Sequence, residues 1–495
     1  MLHFKIPKEV IKIVELLKKA GFKAYIVGGC VRDLLLKTTP KDWDVATNAK
    51  PKEIQEIFPN SFYKNKFGTV TVKVPEAKKE NLKEIEVTTF RTEEKYSDKR
   101  HPDKVKFVED IEEDLARRDF TINAMALDLH LPFSPFNLKP YTLIDPFSGR
   151  KDLKRKLIRA VGDPEKRFSE DALRLLRAVR FATVLGKGWK IEKKTLKAIK
   201  KNAHWIMAIS KERIRDELIK ILESPQAYEG FMLLHKTGLL KYIIPELEKG
   251  VGVSQNKHHI YSVFKHCLLS LKYAAKYNFN LNVRLAALLH DIAKPETKKG
   301  EGPDATFYNH DVLGAKIATQ ILSRLRFPKK TIEKVATLIR YHMFYYDPKV
   351  VRESAVRRLI RKVGKENIKE LIQLRICDRK GSGVPKARPY RLRHFEYVVS
   401  KVLRDPISVE MLEVDGYDVM RILKIKPGPR VGLILNALLS EVLDDPKKNK
   451  KEYLEKRIKE LGKLSDEELK KFQKKVEEKK MEIELEEKRK YGIFD

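Results

Sequence analysis

Residues 24–44 read AYIVGGCVRDLLLKTTPKDWD, and the order of residue types along them decides the reading of the N-terminal third. Ala24-Tyr25-Ile26-Val27 is a short apolar, β-prone run, Gly28-Gly29 allows close approach of the backbone to a ligand, and Val31 to Leu36 has the composition of a helix start. The N–H groups of a helix that begins after a glycine turn carry partial positive charge toward a phosphate. Arg32 adds a planar cation suited to triphosphate oxygens. Farther on, Asp42 and Asp44 flank Trp43. If this tripeptide is a strand, the period of two puts both carboxylates on one face, a hard-oxygen site suited to Mg²⁺. A glycine pair is weak evidence, and a lone Asp-x-Asp is commonly a solvated turn. Their order and spacing together point to nucleotide handling.

The stretch resembles the signature of the DNA polymerase β-like nucleotidyltransferases, specifically the CCA-adding enzyme and poly(A) polymerase family. The resemblance implies that Asp42 and Asp44 are catalytic Mg²⁺ ligands and that Gly28, Gly29 and Arg32 position the triphosphate. Strand-like alternation recurs at Gly68 to Val74 and at Ile85 to Phe90. On the second of these Glu86 is either a third catalytic carboxylate, as the family implies, or an ordinary exposed strand residue. The charged segment Arg91 to Val105 lacks an apolar period and reads as a mobile loop. It looks like the CCA-adding branch, although a glycine is expected after Asp98.

Arg117-Arg118-Asp119 is followed by a strand-like Met125 to Leu129. Two arginines beside an aspartate commonly form a surface ion pair; the resemblance assigns Arg118 to nucleotide binding and Asp119 to the neighbourhood of the ribose 2′-hydroxyl. Leu143 to Leu153 resembles a third family motif, and its Pro146 and Gly149 suit a hinge. From Asp163 onward strand signals cease. In Glu170 to Arg180 the residues Asp171, Arg174, Arg177 and Arg180 recur every third position, which predicts a row along a slowly turning helical ridge. Intrahelical ion pairing is one reading. The other is that a carboxylate acceptor and a guanidinium donor together match the base-pairing edge of cytosine or adenine, and the wrong donors and acceptors of uracil and guanine do not fit. In the bacterial and eukaryotic class of CCA-adding enzymes this motif has that templating role, with Arg177 and Arg180 also at the nucleotide.

His266, the pair His290-Asp291 and Asp378 resemble the H…HD…D pattern of HD-domain phosphohydrolases, which implies a divalent metal of unassigned identity, with His310 and His342 available to a second ion. Leu464 to Lys490 is Lys/Glu-rich and reads as one long solvated helix, with electrostatic RNA contact as the other reading.

The composition agrees with a polyanionic partner. In 495 residues, 104 Lys+Arg stand against 69 Asp+Glu, a formal charge of +35 spread along the chain. A thermophilic surface explains charge density but not this imbalance of sign. No apolar run approaches a membrane span, the N-terminus lacks a signal-peptide core, and three scattered cysteines make neither a disulfide framework nor a zinc knuckle. The expectation is a cytoplasmic multidomain α+β protein without a membrane partner, with nothing to set its oligomeric state. Its parts are a nucleotidyltransferase head over 1–150, an all-α neck over 151–250, an HD domain over 251–395, a tRNA-binding helical tail over 396–460 and a charged extension over 461–495. The activity implied is metal-dependent addition of CCA to tRNA from CTP and ATP. Poly(A) synthesis, partial CC or A addition, and an RNA-binding HD hydrolase with a spent head are the rivals.

Overall fold

A computed structural model describes residues 4–65, 68–94, 104–130, 140–256, 260–384, 386–403 and 409–493. Two compact units emerge: residues 1–342 with 373–385, and residues 343–372 with 386–495.

The first unit opens with helix α1 (Lys8–Lys19), whose Val10, Ile13, Val14 and Leu17 recur at helical spacing and are buried. At roughly 1.5–3 kcal/mol for each large aliphatic side chain removed from water, this stripe fixes α1 on the head. Next come β1 (Ala24–Val27), α2 (Gly29–Leu35), β2 (Asp44–Thr47), α3 (Pro51–Ile57), β3 (Ser61–Asn65), β4 (Thr69–Lys73) and β5 (Glu84–Thr89). They are followed by β6 (Arg91–Glu94), β7 (Lys104–Phe107), α4 (Ile111–Ala116), β8 (Ala126–Leu129) and β9 (Tyr141–Ile144). Seven strands make one mixed sheet in the order β3-β4-β5-β2-β1-β8-β9, with β2 and β5 parallel and the other neighbours antiparallel. In β5 the alternation is literal: Ile85, Val87 and Thr89 are buried while Glu86 and Thr88 are half-buried on the other face.

Three local expectations change. Strand β2 begins at Asp44, so Asp42 and the buried Trp43 precede it, yet Asp42 and Asp44 line one cavity. The ends of the charged segment after Phe90 form the antiparallel pair β6–β7 rather than a loop, and its middle, 95–103 with Asp98, lies outside the described residues. Gly149 begins α5 (Gly149–Arg155) as a tight packing point, since a Cβ there would collide with the Thr121 carbonyl. Asp145 accepts from the Gly149 and Arg150 N–H groups at 2.6 and 3.0 Å, and Asp152 accepts from Thr121 Oγ1 and Arg159 Nε at 2.7 and 2.8 Å. This junction is braced, not hinged.

The neck adds β10 (Leu157–Ile158), α6 (Pro164–Glu170), α7 (Leu173–Val184), β11 (Lys190–Ile191), α8 (Lys193–Asn202) and α9 (Lys211–Glu223). In the short parallel pair β10–β11, β11 is a strand past Asp163 that the side-chain pattern of two residues does not signal. Helix α7 buries Leu175, Leu176, Ala178 and Val179 and turns its arginines away from that core. Beyond the neck, helices Val263–Lys276, Leu281–Leu289, His310–Arg324 and Lys329–Tyr341 form a bundle. Gly381, near the end of helix Ile368–Gly381, lies so close to Ser270 and the His266 carbonyl that no Cβ fits.

The second unit is helical. Val419, Ile434, Ala437, Leu438, Leu454, Ile458 and Leu461 share one core, and Leu469 and Val476 of the last helix, Asp466–Lys490, join it. The charged extension is therefore a helix docked along one side rather than a solvated rod. Tyr397 Oη donates to Glu484 at 2.7 Å, and Arg393 donates to the Gly492 carbonyl at 2.8 Å.

Candidate active site

A cavity of about 510 Å³ lies in the first unit, lined by Gly28, Gly29, Arg32, Asp42, Asp44, Arg117, Arg118, Asp119, Asn123, Asp171, Arg174, Arg177 and Phe181. Its size suits a small-molecule ligand of nucleotide dimensions. Residues named from three separate motifs, spread over 150 positions of sequence, thus share one wall.

At its floor Gly28 has φ +80°, and a Cβ there would sit 2.8 Å from Arg118 Nη1 and 3.5 Å from Asp44 Oδ2. Glycine is needed because a guanidinium and a carboxylate both crowd its Cα. Asp44 pairs in register with Glu86 across the parallel β2–β5 ladder, so the two side chains stand on the same sheet face. Glu86 itself is not on the cavity wall. Asp42 is exposed and Asp44 half-buried. A set of carboxylate oxygens, open to solvent and to a triphosphate, fits a hard divalent cation.

The arginines are each held from behind by an acid. Asp114, fully buried, accepts from Arg117 Nε and Nη2 at 2.9 and 2.8 Å and from Arg118 Nη2 at 3.1 Å. Burial raises its pKa, but the two guanidinium charges and their hydrogen bonds bring it below the ordinary value. Arg32 pairs with Asp33 at 2.7 Å and donates to Asn123 Oδ1 at 2.7 Å. Arg174 donates to Glu170 at 2.7 Å and to the Arg167 and Arg117 carbonyls at 3.1 and 3.0 Å.

Asp119 lines the cavity and also ties the head to Arg177. Its Oδ1 accepts from Phe120 N and Asn123 Nδ2 at 2.8 and 3.0 Å, and its Oδ2 from Arg177 Nε at 2.9 Å with Nη2 at 2.7 Å. Three of these contacts are hydrogen bonds and the Nη2 contact is an ion pair. Asp119 is a strut between the head and Arg177. The predicted row also changes: Asp171 lies in the break between α6 and α7, outside either helix, and the ridge starts at Arg174. Because three residues advance a helix by 300° rather than 360°, the row swings round, and Arg180 leaves the cavity wall. Arg180 Nε donates to Glu217 at 2.5 Å and its guanidinium lies 3.7 Å from the Phe181 ring centre. Asp114, Asn123, Phe181 and Arg213 belong to this site and were not singled out by sequence. Asp114 alone carried a signal there, an acid one helical turn before a pair of arginines.

The second constellation assembles in the bundle. His266, His290 and Asp378 offer ligand atoms within 4.8 Å of one another, and Asp291, His310 and His342 do the same; all six are buried. His266 Nε2 and His290 Nε2 are 2.9 Å apart, and Asp378 Oδ1 is 3.3 and 3.7 Å from them. Asp291 stands between the groups, its Oδ2 3.2 Å from His266 Nε2 and its Oδ1 3.5 Å from His310 Nε2. The Nδ1 atoms of His290, His310 and His342 lie 3.0, 2.6 and 2.7 Å from the carbonyls of Ala287, Phe307 and Ile339. A carbonyl only accepts, so each Nδ1 carries the proton and each Nε2 presents a lone pair inward. Burial holds His342 neutral, with its pKa down to about 3. Burial opposes charge on His266 too, yet hydrogen bonds to Asp291 and Asp378 outweigh it and raise its pKa to about 9. His310 Nε2 is buried without a hydrogen bond. Imidazole lone pairs and carboxylates converging on one buried point fit a divalent metal.

Comparison with known proteins follows this division. Residues 24–159 match the poly A polymerase head domain, 188–250 a probable RNA and SrmB-binding site of polymerase A, and 263–380 the HD domain. The chain is thus similar to this family across the head that carries Gly28, Asp44 and Arg118. It is 46% identical over 239 residues to the CCA-adding enzyme of Lactobacillus helveticus, covering 48% of this chain and 55% of that one. With the CCA-adding enzyme of Geobacillus thermodenitrificans it shares 45% over 244 residues, 49% of this chain and 56% of the relative. The matched region thus spans about half the length of these relatives. The crystal structure of the Bacillus stearothermophilus CCA-adding enzyme in complex with CTP superposes with a TM-score of 0.56 at 29% identity, covering 92% of this chain and 96% of that one. The Thermotoga maritima CCA-adding enzyme complexed with tRNA shares the fold, at 20% identity and a TM-score of 0.51 over 92% of this chain and 97% of that one. Among the described residues no helix is long and apolar enough to cross a membrane.

Proposed function

We propose that this nucleotidyltransferase completes or repairs the 3′-terminal CCA of tRNA from CTP and ATP without a nucleic-acid template. The observation that carries the reading is the single cavity in which the carboxylate pair and Arg118 of the head face Asp171 and Arg174 of the neck. Asp171 Oδ2 accepts one protein donor, which leaves it acceptor capacity, and Arg174 keeps its Nε–H and one Nη2–H beyond its protein contacts. One acceptor beside donors complements the exocyclic amine and unprotonated ring nitrogen that cytosine and adenine share. Arg32 and Arg118 supply cations for the triphosphate. Asp42 and Asp44, with Glu86 beside them on the sheet, would hold Mg²⁺, which makes an RNA 3′-hydroxyl a better nucleophile and stabilises the pyrophosphate leaving group. The likeness to a CCA-adding enzyme bound to CTP supports this over a poly(A) polymerase or a spent head. The charge of +35 suits tRNA as partner. Three buried free cysteines, Cys30, Cys267 and Cys377, suit a reducing cytoplasm.

The test is one incubation series. tRNA lacking CCA is given each nucleoside triphosphate separately and all four together, and the products are sequenced. Ordered addition of C, C and A supports the reading; a run of A, or no addition, refutes it.

We further propose that His266, His290, Asp291 and Asp378 hold a divalent cation and serve phosphoester hydrolysis. The support is the buried cluster in which His266, His290 and Asp378 offer ligand atoms within 4.8 Å of one another, with Asp291 Oδ2 3.2 Å from His266 Nε2. Hydrolysis of phosphomonoester and phosphodiester probes, with metals added one at a time, tests it.

A further inference from the structure

The cations on the cavity wall are held by acids, but the base-facing carboxylate is held the other way round. Asp171 sits between two helices at φ −137° and ψ 104°, where no helical ladder fixes its backbone. Leu173 N donates to its Oδ1 at 3.0 Å. Arg213, which comes from α9, closes a fork on both oxygens: Nη1 to Oδ1 at 3.2 Å and Nη2 to Oδ2 at 2.7 Å. Arg213 does not line the cavity. One turn along the same helix, Glu217 binds Arg180 and lies 4.0 Å from Arg177. A single face of α9 therefore supports the acid and the bases of the row together.

We propose that Arg213 is a positioning residue for nucleotide selection, fixing the plane of the Asp171 carboxylate. The inference rests on the proposal that Asp171 reads the base. A carboxylate in a helix break has two soft side-chain torsions, and rotation about either exchanges the oxygen offered to a ligand. A planar two-pronged donor stops that rotation, whereas a point charge such as lysine neutralises the carboxylate without fixing its plane. The consequence is specific. Losing the fork leaves the charge balance of the pocket open to repair but its selectivity impaired.

The experiment compares Arg213→Lys, Arg213→Ala, Asp171→Asn and the double variant Asp171→Asn/Arg213→Ala. Single-turnover incorporation of CTP, ATP, UTP and GTP is measured on tRNA lacking CCA, with thermal unfolding alongside. Both Arg213 variants should lower CTP and ATP incorporation by about ten- to a hundredfold, the cost of misplacing a group by roughly 1 Å, and lower UTP and GTP much less. The double variant should be no worse than Asp171→Asn, because Arg213 acts through Asp171. Wild-type selectivity in Arg213→Lys, one common factor for all four nucleotides, or losses that multiply in the double variant would each overturn the proposal. Unchanged selectivity in Asp171→Asn would remove the base-reading proposal as well. Narrowed selectivity there, with none in Arg213→Ala, would remove only the role of Arg213.

Discussion

Asp119→Asn is the most informative single substitution for the join between head and neck. Asp119 is 8% exposed and accepts three hydrogen bonds, one of them from Arg177, whose Nη2 adds an ion pair at 2.7 Å. Burial pushes its pKa up, but Arg177, Asn123 and Arg174 together bring it from 3.8 down to about 2. A depression of that size corresponds to roughly 2.5 kcal/mol of stability at neutral pH. Asparagine keeps the shape, loses the charge, and leaves Arg177 with Glu217 at 4.0 Å as its remaining acidic partner among the ion pairs of the described residues. For a unit of this size the loss lowers Tm by roughly 3 °C. The pH dependence has a definite sign. A depressed carboxyl pKa contributes its stability above the unfolded value of 3.8 and loses it as pH falls toward 2. The gap in Tm between wild type and variant should be full at pH 5 to 7, about half by pH 3, and nearly closed at pH 2. Thermal scans by calorimetry across that range measure it. A gap that stays constant down to pH 2.5 would mean that the cost is steric and the strut argument is wrong.

Asp42→Ala or Asp44→Ala should abolish nucleotide addition and leave tRNA affinity within about twofold, since charge on the RNA backbone is met by the basic chain at large; filter binding and primer extension on the same preparations separate the two effects. His290→Ala or Asp291→Ala should reduce bound divalent metal, read by elemental analysis, and any metal-dependent hydrolysis, while CCA addition continues; equal metal content in variant and wild type counts against the HD assignment. Leu469→Ala, at a fully buried position of the last helix, should cost about 2–5 kcal/mol in the second unit. If protease sensitivity of residues 466–493 is unaffected, the helix is not docked as described.

The parts of the molecule that were legible in sequence are those where one local pattern does one job. Val10, Ile13, Val14 and Leu17 announce α1, and Gly28-Gly29 with Asp42 and Asp44 announce the cavity floor. The row through Asp171 was only half legible: the spacing is regular, but the helix breaks at its first member, where Asp171 accepts from Leu173 N and from Arg213 instead of continuing a ladder. Arg213 and Asn123 reach the site across long sequence separations, through hydrogen bonds that no periodicity encodes. Asp119 carried the right motif, but its pairing with Arg177, 58 positions on, is encoded by no local pattern. In the last helix the apolar signal existed, at Leu469, Phe472 and Val476, but it is diluted among lysines and glutamates that suggest solvent.

The parallel pairing of β2 with β5 turns the backbone into a ruler. Asp44 and Glu86 are neighbours across that ladder, so the interval between their strands is the roughly 4.8 Å pitch set by peptide hydrogen bonds. Side-chain repacking beneath the sheet cannot stretch that interval without tearing the ladder itself. The 41 intervening residues, which include the edge strand β3 and its neighbour β4, can therefore lengthen or shorten in their turns while the distance between the two acids stays fixed. A lineage can rework the periphery of this head at little risk to its chemistry, whereas slipping β5 by one residue would turn Glu86 to the opposite face and leave Asp44 without its neighbour.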